Sequence, residues 1–441
     1  MVERWYVLIM MCLIYSLNIA DRYVVSTVLE PIRVELRLTD GGVAFLTGVP
    51  LALFYVSFGI PLSWLADRFN RRNILAAALV AWSLFTVLCG LSRTYWQLLF
   101  GRIGVGAGEA GGTPPSSAIL SDYFSPQWRP MAFTIFALGA PLGAWLGANV
   151  AGRIADAFGW RMAFLVMGLP GLVAGFLVYL TVREPPRARH NDVGAIAAPT
   201  VFESLVYIWR RRAAFHVVMT SAVCTLWGWG LAWWTPTFLM RTYGLNVGAA
   251  GTVTGDINLF GGIAASIGTA WILGRRSMAD PRRVLWLLIV VVSLATVPSF
   301  FAYWTHTLWV AKLMLWLYIP AIYFYIGPCL GLMQNLAPRA MRSMIVAWSL
   351  LVGNVFNLIV APQFVGTLSD WLGGGRGGAP ASLRVALLLL APTGFWAAWH
   401  AYRATKTIHE DQRHAAACSG DLAQVSFPDE STPVTIAGDV P

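Results

Sequence analysis

The sequence predicts an all-α, multi-pass membrane protein of twelve transmembrane helices in two six-helix bundles, and three observations carry that prediction. Of its 441 residues, 57% are hydrophobic and only 12% charged, whereas a soluble domain has about 25% charged residues. Apolar stretches of about 20 residues, the length that crosses a bilayer as a helix, recur along the chain. Finally, an aspartate closes four helix ends at near-constant spacing, which marks an internal repeat. The 21 Trp residues fit the aromatic belts that anchor at membrane interfaces.

The apolar stretches fall at 5–28, 43–66, 73–92, 95–121, 131–155, 160–182, 213–240, 248–274, 284–304, 308–336, 342–370 and 382–403. The uninterrupted apolar run of the first, Trp5 to Ala20, is short for a bilayer. Its helix therefore continues through Asp21 and Arg22 to Val28, which leaves two charges at membrane depth. The fourth carries Arg102 and Glu109 in a glycine-rich background, and Pro114–Pro115 should kink or end its regular helix. The longest connection, 183–212, opens with Pro185–Pro186, closes with Arg210–Arg211–Arg212 and divides the helices six and six. The expected units are an N-terminal bundle (1–182), a cytoplasmic linker (183–212), a C-terminal bundle (213–403) and a polar, disordered cytoplasmic tail (404–441).

The net charge of +10 does not indicate nucleic-acid binding. The arginines sit in short loops between apolar runs, where they orient the helices, and no basic stripe lies on a soluble domain. The loops richest in arginine, with both termini, are expected on the cytoplasmic side. Cys12, Cys89, Cys224 and Cys329 lie in apolar segments and Cys418 in the tail, with no metal-ligand spacing among them. No metal or cofactor is expected. The N-terminus lacks a basic leader and a cleavage site and is read as the first membrane helix.

The repeat reads Ser63-Trp-Leu-Ala-Asp67, Gly152-Arg-Ile-Ala-Asp156, Arg276-Ser-Met-Ala-Asp280 and Gly366-Thr-Leu-Ser-Asp370. The steps are 89 residues from Asp67 to Asp156 and 90 from Asp280 to Asp370, with 213 and 214 between the halves. These aspartates end the second, fifth, eighth and eleventh helices, so the unit is three helices repeated four times. Three is odd, so successive units enter the membrane from opposite sides, an inverted repeat nested in two parallel halves.

That plan, together with SWLADRFNRR at 63–72, resembles the major facilitator superfamily, whose loop signature between helices 2 and 3 is Gly-x-x-x-Asp-Arg-x-Gly-Arg-Arg. Asp67, Arg68, Arg71 and Arg72 match it, while Ser63 and Asn70 replace its glycines. The resemblance implies that these four charged residues form a cytoplasmic gate near helix 11. A narrower resemblance, to the Spinster-like branch that includes sphingosine-phosphate and lysophospholipid transporters, rests on further first-half motifs. They are Asn18-Ile-Ala-Asp21-Arg22, Arg102-Ile-Gly-Val-Gly-Ala-Gly-Glu109-Ala and Ser121-Asp122-Tyr123-Phe124, with weaker matches at Arg339-Ala-Met-Arg342-Ser343 and 365–370.

A charge at the bilayer centre is costly and marks function by default. Seven residues are nearly two helical turns, so Arg102 and Glu109 face the same way about 10 Å apart, too far for one ion pair. Asp21 is the expected third group, since the repeat step of 89 maps it to position 110. Asp21 and Glu109 are therefore the proton-coupling candidates, with Arg22 and Arg102 as charge partners or anion-binding groups. The half-to-half offset maps these carboxylates onto aromatics, so Trp227, Trp233, Trp234, Tyr318, Tyr323 and Tyr325, with Asn354 and Asn357, are candidates for the cavity wall. Asp256 is a second candidate for a buried functional acid, and His216 reads as a helix-end residue.

The expected function is secondary active transport, proton-coupled, of an amphipathic or lipid-like solute by alternating access. Organic-anion/proton symport, drug/proton antiport and a non-transporting receptor are the alternatives. The six His and five Cys form no constellation for a lipid enzyme, and no Walker motif suggests ATP-driven transport. The expected partners are the substrate, protons and the lipid bilayer, with the chain a monomer. Arg-rich, Lys-poor usage points to a bacterial inner membrane.

Overall fold

A computed structural model of the chain describes residues 2–125, 128–184, 201–278, 280–338, 341–375 and 377–419. Among them, eleven helices are long and apolar enough to cross a membrane. They are Glu3–Thr27 (α1), Asp40–Gly59 (α2), Arg71–Leu91 (α3), Met131–Phe158 (α5), Trp160–Thr181 (α6), Arg212–Tyr243 (α7), Val247–Leu273 (α8), Pro281–Trp304 (α9), Leu308–Asn335 (α10), Met344–Leu372 (α11) and Pro380–Thr405 (α12). The missing member is residues 95–123, α4, built from Tyr95–Glu109 and Thr113–Tyr123. It breaks at 110–112 because Gly111 and Gly112 bond back only over one tight turn and Pro114 and Pro115 open the next helix. Among the described residues the protein is all-helical, as the sequence predicts.

The helices follow from their sequences. Asn70 stands where the family loop has glycine because its side chain caps α3, accepting the N–H of Asn73 at 3.0 Å. Asn246 caps α8 in the same way through the N–H of Ala249. The segment α7 is 32 residues long, about 48 Å at helical rise, so it overruns the bilayer and carries Arg241 past the membrane-depth residues.

The first and last described helices and the described ends of the linker meet at one end of the bundle, the terminal end. There Tyr6 bonds Thr181, Tyr123 donates to the carbonyl of Arg183, and Arg211 meets His414. The expected disordered tail from 404 needs correcting in its first part. A helix, Ile408–Ser419, buries Ile408 and places Asp411 Oδ2 2.6 Å from the N–H of Ala213, so the carboxylate satisfies an otherwise open donor at the start of α7. The Pro-rich centre of the linker, 185–200, and the last residues, 420–441, lie outside the described residues. The linker ends in an amphipathic helix, Val201–Arg210, docked through Ser204 to Trp348 and Tyr207 to the carbonyl of Leu336.

The two halves are joined at the opposite, distal end. Gly48 in α2 lies so close to α11 that a Cβ would stand 2.1 Å from the carbonyl oxygen of Leu358, and Gly251 in α8 has the same relation to Ala148 in α5. The regular helix yields at these crossings. Single π-helical turns interrupt α5 at Leu146–Val150, α8 at Ile257–Gly261 and α11 at Val355–Val360, and α2 breaks at Gly48. Such turns collect at functional sites in helices.

Candidate functional site

The charged cluster lies inside the first half. Adjacent residues of α1 send their side chains to α4. Arg102 donates to Asp21 Oδ2 at 2.8 Å, and Arg22 donates to Glu109 Oε2 from Nε at 3.0 Å and Nη2 at 2.8 Å. Two separate ion pairs thus replace the shared carboxylate expected between Arg102 and Glu109. The arginines have the reach: each spans part of the roughly two-turn gap that separates the charges of α4. A hydroxyl that sequence reasoning missed, Thr86 of α3, donates to Asp21 Oδ1 at 2.6 Å. Nothing but its type, a hydroxyl in an apolar helix, could have signalled it.

This quartet is deeply buried and formally neutral. Asp21, Arg102 and Glu109 are at most 4% exposed and only Arg22, at 16%, keeps contact with open space, its guanidinium 5.3 Å from the ring of Tyr55. Its hydrogen bonding is incomplete: Glu109 Oε1, Arg102 Nε and Nη2, and Asn18 Nδ2 are buried without partners. Unmet donors and acceptors of charged groups are expensive in a dry interior. The site therefore has spare capacity for a proton, a water molecule or a ligand atom.

Beside this cluster, at Tyr23 of α1, the second half presents aromatic and amide groups. The amide oxygen of Asn258 in α8 accepts from Tyr23 of α1 at 3.0 Å and from Tyr323 of α10 at 2.8 Å, with Trp229 edge-on to both rings. Asp256, one helical half-turn away, accepts from Trp145 Nε1 and Asn149 Nδ2 of α5 at 3.0 and 2.7 Å. Tyr23 and Asn258 were not legible as partners, because 235 residues separate them.

The aromatic candidates divide. Trp227 and Tyr318 are fully buried in the second half's own core, Trp227 donating to Ser299 and Tyr318 bonded to Tyr303, so they pack helices and do not line the space between the halves. Tyr325 bonds Thr225. Trp233 lends its carbonyl to Ser26 of α1 across the interface, and the indole N–H groups of Trp233 and Trp234 are buried without partners. Asn354 and Asn357 are half-buried at the π-helical turn of α11. His216 pairs with His400 through Nδ1 atoms 2.9 Å apart, between α7 and α12.

In the arginine-rich loop, Arg71 pairs with Asp122, and the N–H groups of Arg71 and Arg72 donate to Glu184, so these two arginines are held to the first half and the start of the linker. Arg68 is exposed, and the side chain of Asp67 lies outside the described residues. At the distal end the structure reveals a second charge cluster. Arg241 of α7 bridges Glu30 and Asp40, both in the first half, with Nη1 2.9 Å from Asp40 Oδ2 and Nε 2.8 Å from Glu30 Oε2. Burial would raise the pKa of Glu30, but hydrogen bonds from Arg33 and Arg241, with their charges, outweigh it and hold that carboxyl below its usual range.

The nested repeat read from the sequence, the broken helix crossings and the intramembrane ion pairs fit a transporter. The family model of the Major Facilitator Superfamily matches residues 11–362, and the chain belongs to that superfamily, which makes its class a secondary transporter and not an enzyme. Its homologues include Spinster-like proteins. The chain is 26% identical to a bacterial homologue of the human lysosomal transporter Spinster solved in an inward-facing, unoccupied conformation, with a TM-score of 0.81 over 93% of this chain and 98% of that one. It is 32% identical to the sphingosine-1-phosphate transporter SPNS2 of Danio rerio, over 51% of this chain and 45% of that protein. An MFS-type efflux pump of Mycolicibacterium smegmatis is 30% identical over 88% of this chain and 90% of the pump.

Proposed function

We propose that the chain is a proton-coupled transporter that moves an amphipathic, lipid-like organic solute by alternating access, with Asp21 and Glu109 as the proton-carrying carboxylates. The observation that carries this reading is the neutral but under-bonded quartet. Protonating Glu109 would release Arg22, the one partly exposed member, which could then hold an anionic head group bidentately. Tyr23, next to Arg22 on α1, bonds α8, so a shift of α1 on protonation reaches the contact between the halves. The charged first half facing an aromatic second half suits a molecule with a polar head and an apolar body, as does the similarity to a sphingosine-1-phosphate transporter.

A second reading, drug/proton antiport, is favoured by the similarity to an efflux pump over most of both chains. The terminal end carries Arg71, Arg72, Arg129, Arg183, Arg210, Arg211, Arg212, Arg282 and Arg283, which supports a cytoplasmic placement in a bacterial inner membrane. With that placement, closure at the distal end is an inward-facing state.

The test uses purified protein in proteoliposomes. A thermal-shift screen with lysolipids, organic anions and cationic drugs at two pH values identifies a ligand by its stabilisation. Flux of that ligand is then driven by a pH gradient. Glu109→Gln and Asp21→Asn proteins should bind the ligand and lose the gradient-driven flux. Proton-driven flux at the parent rate in both variants would overturn the coupling role.

A further inference from the structure

We propose that Asp156 and Asp370 are positioning residues that hold the halves closed at the distal end, each docking its carboxylate on the start of a helix in the opposite half. The inference rests on alternating access, and not on which solute or ion moves.

Asp370 ends α11 in the second half. Its two oxygens accept the N–H groups of Asp40 and Gly41, the first residues of α2 in the first half, each at 2.8 Å. Those donors have no partner within their own helix, and the helix dipole favours an anion there. Asp156 ends α5 in the first half. It accepts from Nδ2 of Asn246 at 2.8 Å, the residue whose Oδ1 caps α8 of the second half. The two contacts, α11 on α2 and α5 on α8, are related: their aspartates stand 214 positions apart, Asp370 taking two backbone N–H groups at a helix start and Asp156 the side chain of the residue that caps one.

A glycine four residues earlier completes each. A Cβ at Gly366 would stand 2.6 Å from the carbonyl oxygen of Asp40, and one at Gly152 would stand 3.1 Å from that of Val247. Opposite them, a Cβ at Gly41 would press on Asp370 Oδ2 at 3.1 Å and one at Gly248 on Asp156 Oδ2 at 3.3 Å. Gly-x-x-x-Asp therefore works as a docking element: the glycine lets the two backbones meet, and the aspartate one turn on reaches the partner's helix start. The remaining two copies of the repeat, Ser63 to Asp67 and Arg276 to Asp280, lack the glycine. Asp280 caps its own helix through the N–H of Arg282 at 2.8 Å and stands 3.5 Å from His409. The distal end thus has two Gly-x-x-x-Asp copies, both docked, while neither terminal-end copy has the glycine and Asp280 is engaged by its own helix, so the chain rests closed at the distal end.

The test reads how often that end opens. Ser26, buried and bonded across the halves to the carbonyl of Trp233, is replaced in a Ser26→Cys, Cys418→Ser background. The rate at which a maleimide labels the introduced thiol follows the population of the open form. Asp370→Asn should raise that rate roughly tenfold and Asp156→Asn, at an exposed residue, a few-fold, the two multiplying in the double variant. Asp280→Asn should leave it unchanged. Labelling at the parent rate in the double variant, or an equal rise in Asp280→Asn, would overturn the proposal. Slow labelling of buried Cys89 reports an intact fold, and where the double variant fails that control the two single variants decide. No substrate or proton gradient enters the measurement, so its result is separate from the fate of the coupling residues.

Discussion

Neutralising Glu109 should destabilise the protein far more than neutralising Glu109 and Arg22 together. The carboxylate is fully buried and takes two N–H groups of Arg22 on a single oxygen. Glu109→Gln leaves the guanidinium as an uncompensated charge, and breaking one side of a buried pair costs about 3–5 kcal/mol. Arg22 keeps 16% exposure and stands over Tyr55, so the lower end, about 3 kcal/mol, applies. Arg22→Met should cost a similar amount, since it strands the carboxylate. In Glu109→Gln/Arg22→Met neither charge remains, and replacing a buried pair by neutral groups is often close to neutral, so most of the two single losses, about 6 kcal/mol together, should appear as coupling. The assay is apparent melting in detergent, followed by a thiol-reactive dye that reports the buried Cys89, Cys224 and Cys329. Each single variant should melt several degrees below the parent, with the double variant above both. A double variant that melts as low as the two losses added would refute the reasoning, because the pair would then not be one electrostatic unit.

Other outcomes follow from the same geometry. Gly104→Ala puts a Cβ 2.2 Å from the ring of Phe85 and should cost about 1–3 kcal/mol of overpacking, while Gly331→Ala, with open space around it, should melt at or above the parent. Tyr23→Phe removes one of the two hydroxyl donors to Asn258 and should speed amide exchange in α8 while leaving α3 protected. Glu30 has a lowered pKa, so its contribution to the distal cluster is present above its unfolded value of about 4.3 and lost only as pH falls through the lowered folded value. Distal accessibility should therefore show no Glu30-dependent change from pH 8 to 5, read by comparing the parent with Glu30→Gln. Asp411→Ala removes the acceptor at the start of α7 and should release Ile408–Ser419 to proteolysis at a cost of about 1 kcal/mol.

What was legible in the chain was whatever repeats or is forced by the bilayer. Membrane length fixed the segments, four aspartates fixed their grouping in threes, and the rarity of intramembrane charge singled out Asp21, Arg22, Arg102 and Glu109, all of which the structure brings together. The pairing within that quartet was not legible. Spacing along α4 excludes an Arg102–Glu109 pair, but which arginine of two takes which carboxylate depends on the crossing of α1 and α4. The aromatic wall was over-read for a related reason. Offset arithmetic reaches Trp234 and Tyr323; extending it to other aromatics of the same helices says nothing about rotation around the helix axis, and Ser299 and Tyr303 hold Trp227 and Tyr318 in the second half's own core.

The contacts between halves were the least legible, because Tyr23–Asn258, Arg241–Glu30 and Asp370–Gly41 join residues more than 200 apart. Yet the repeat held a trace of them. Glycine precedes the aspartate by four in two of its four copies, and both of those copies dock across the interface. A departure from the repeat carried information that the repeat itself did not. Copies under one structural demand keep the same residue, and a substitution confined to one end of the bundle marks where the two ends differ in how tightly they close.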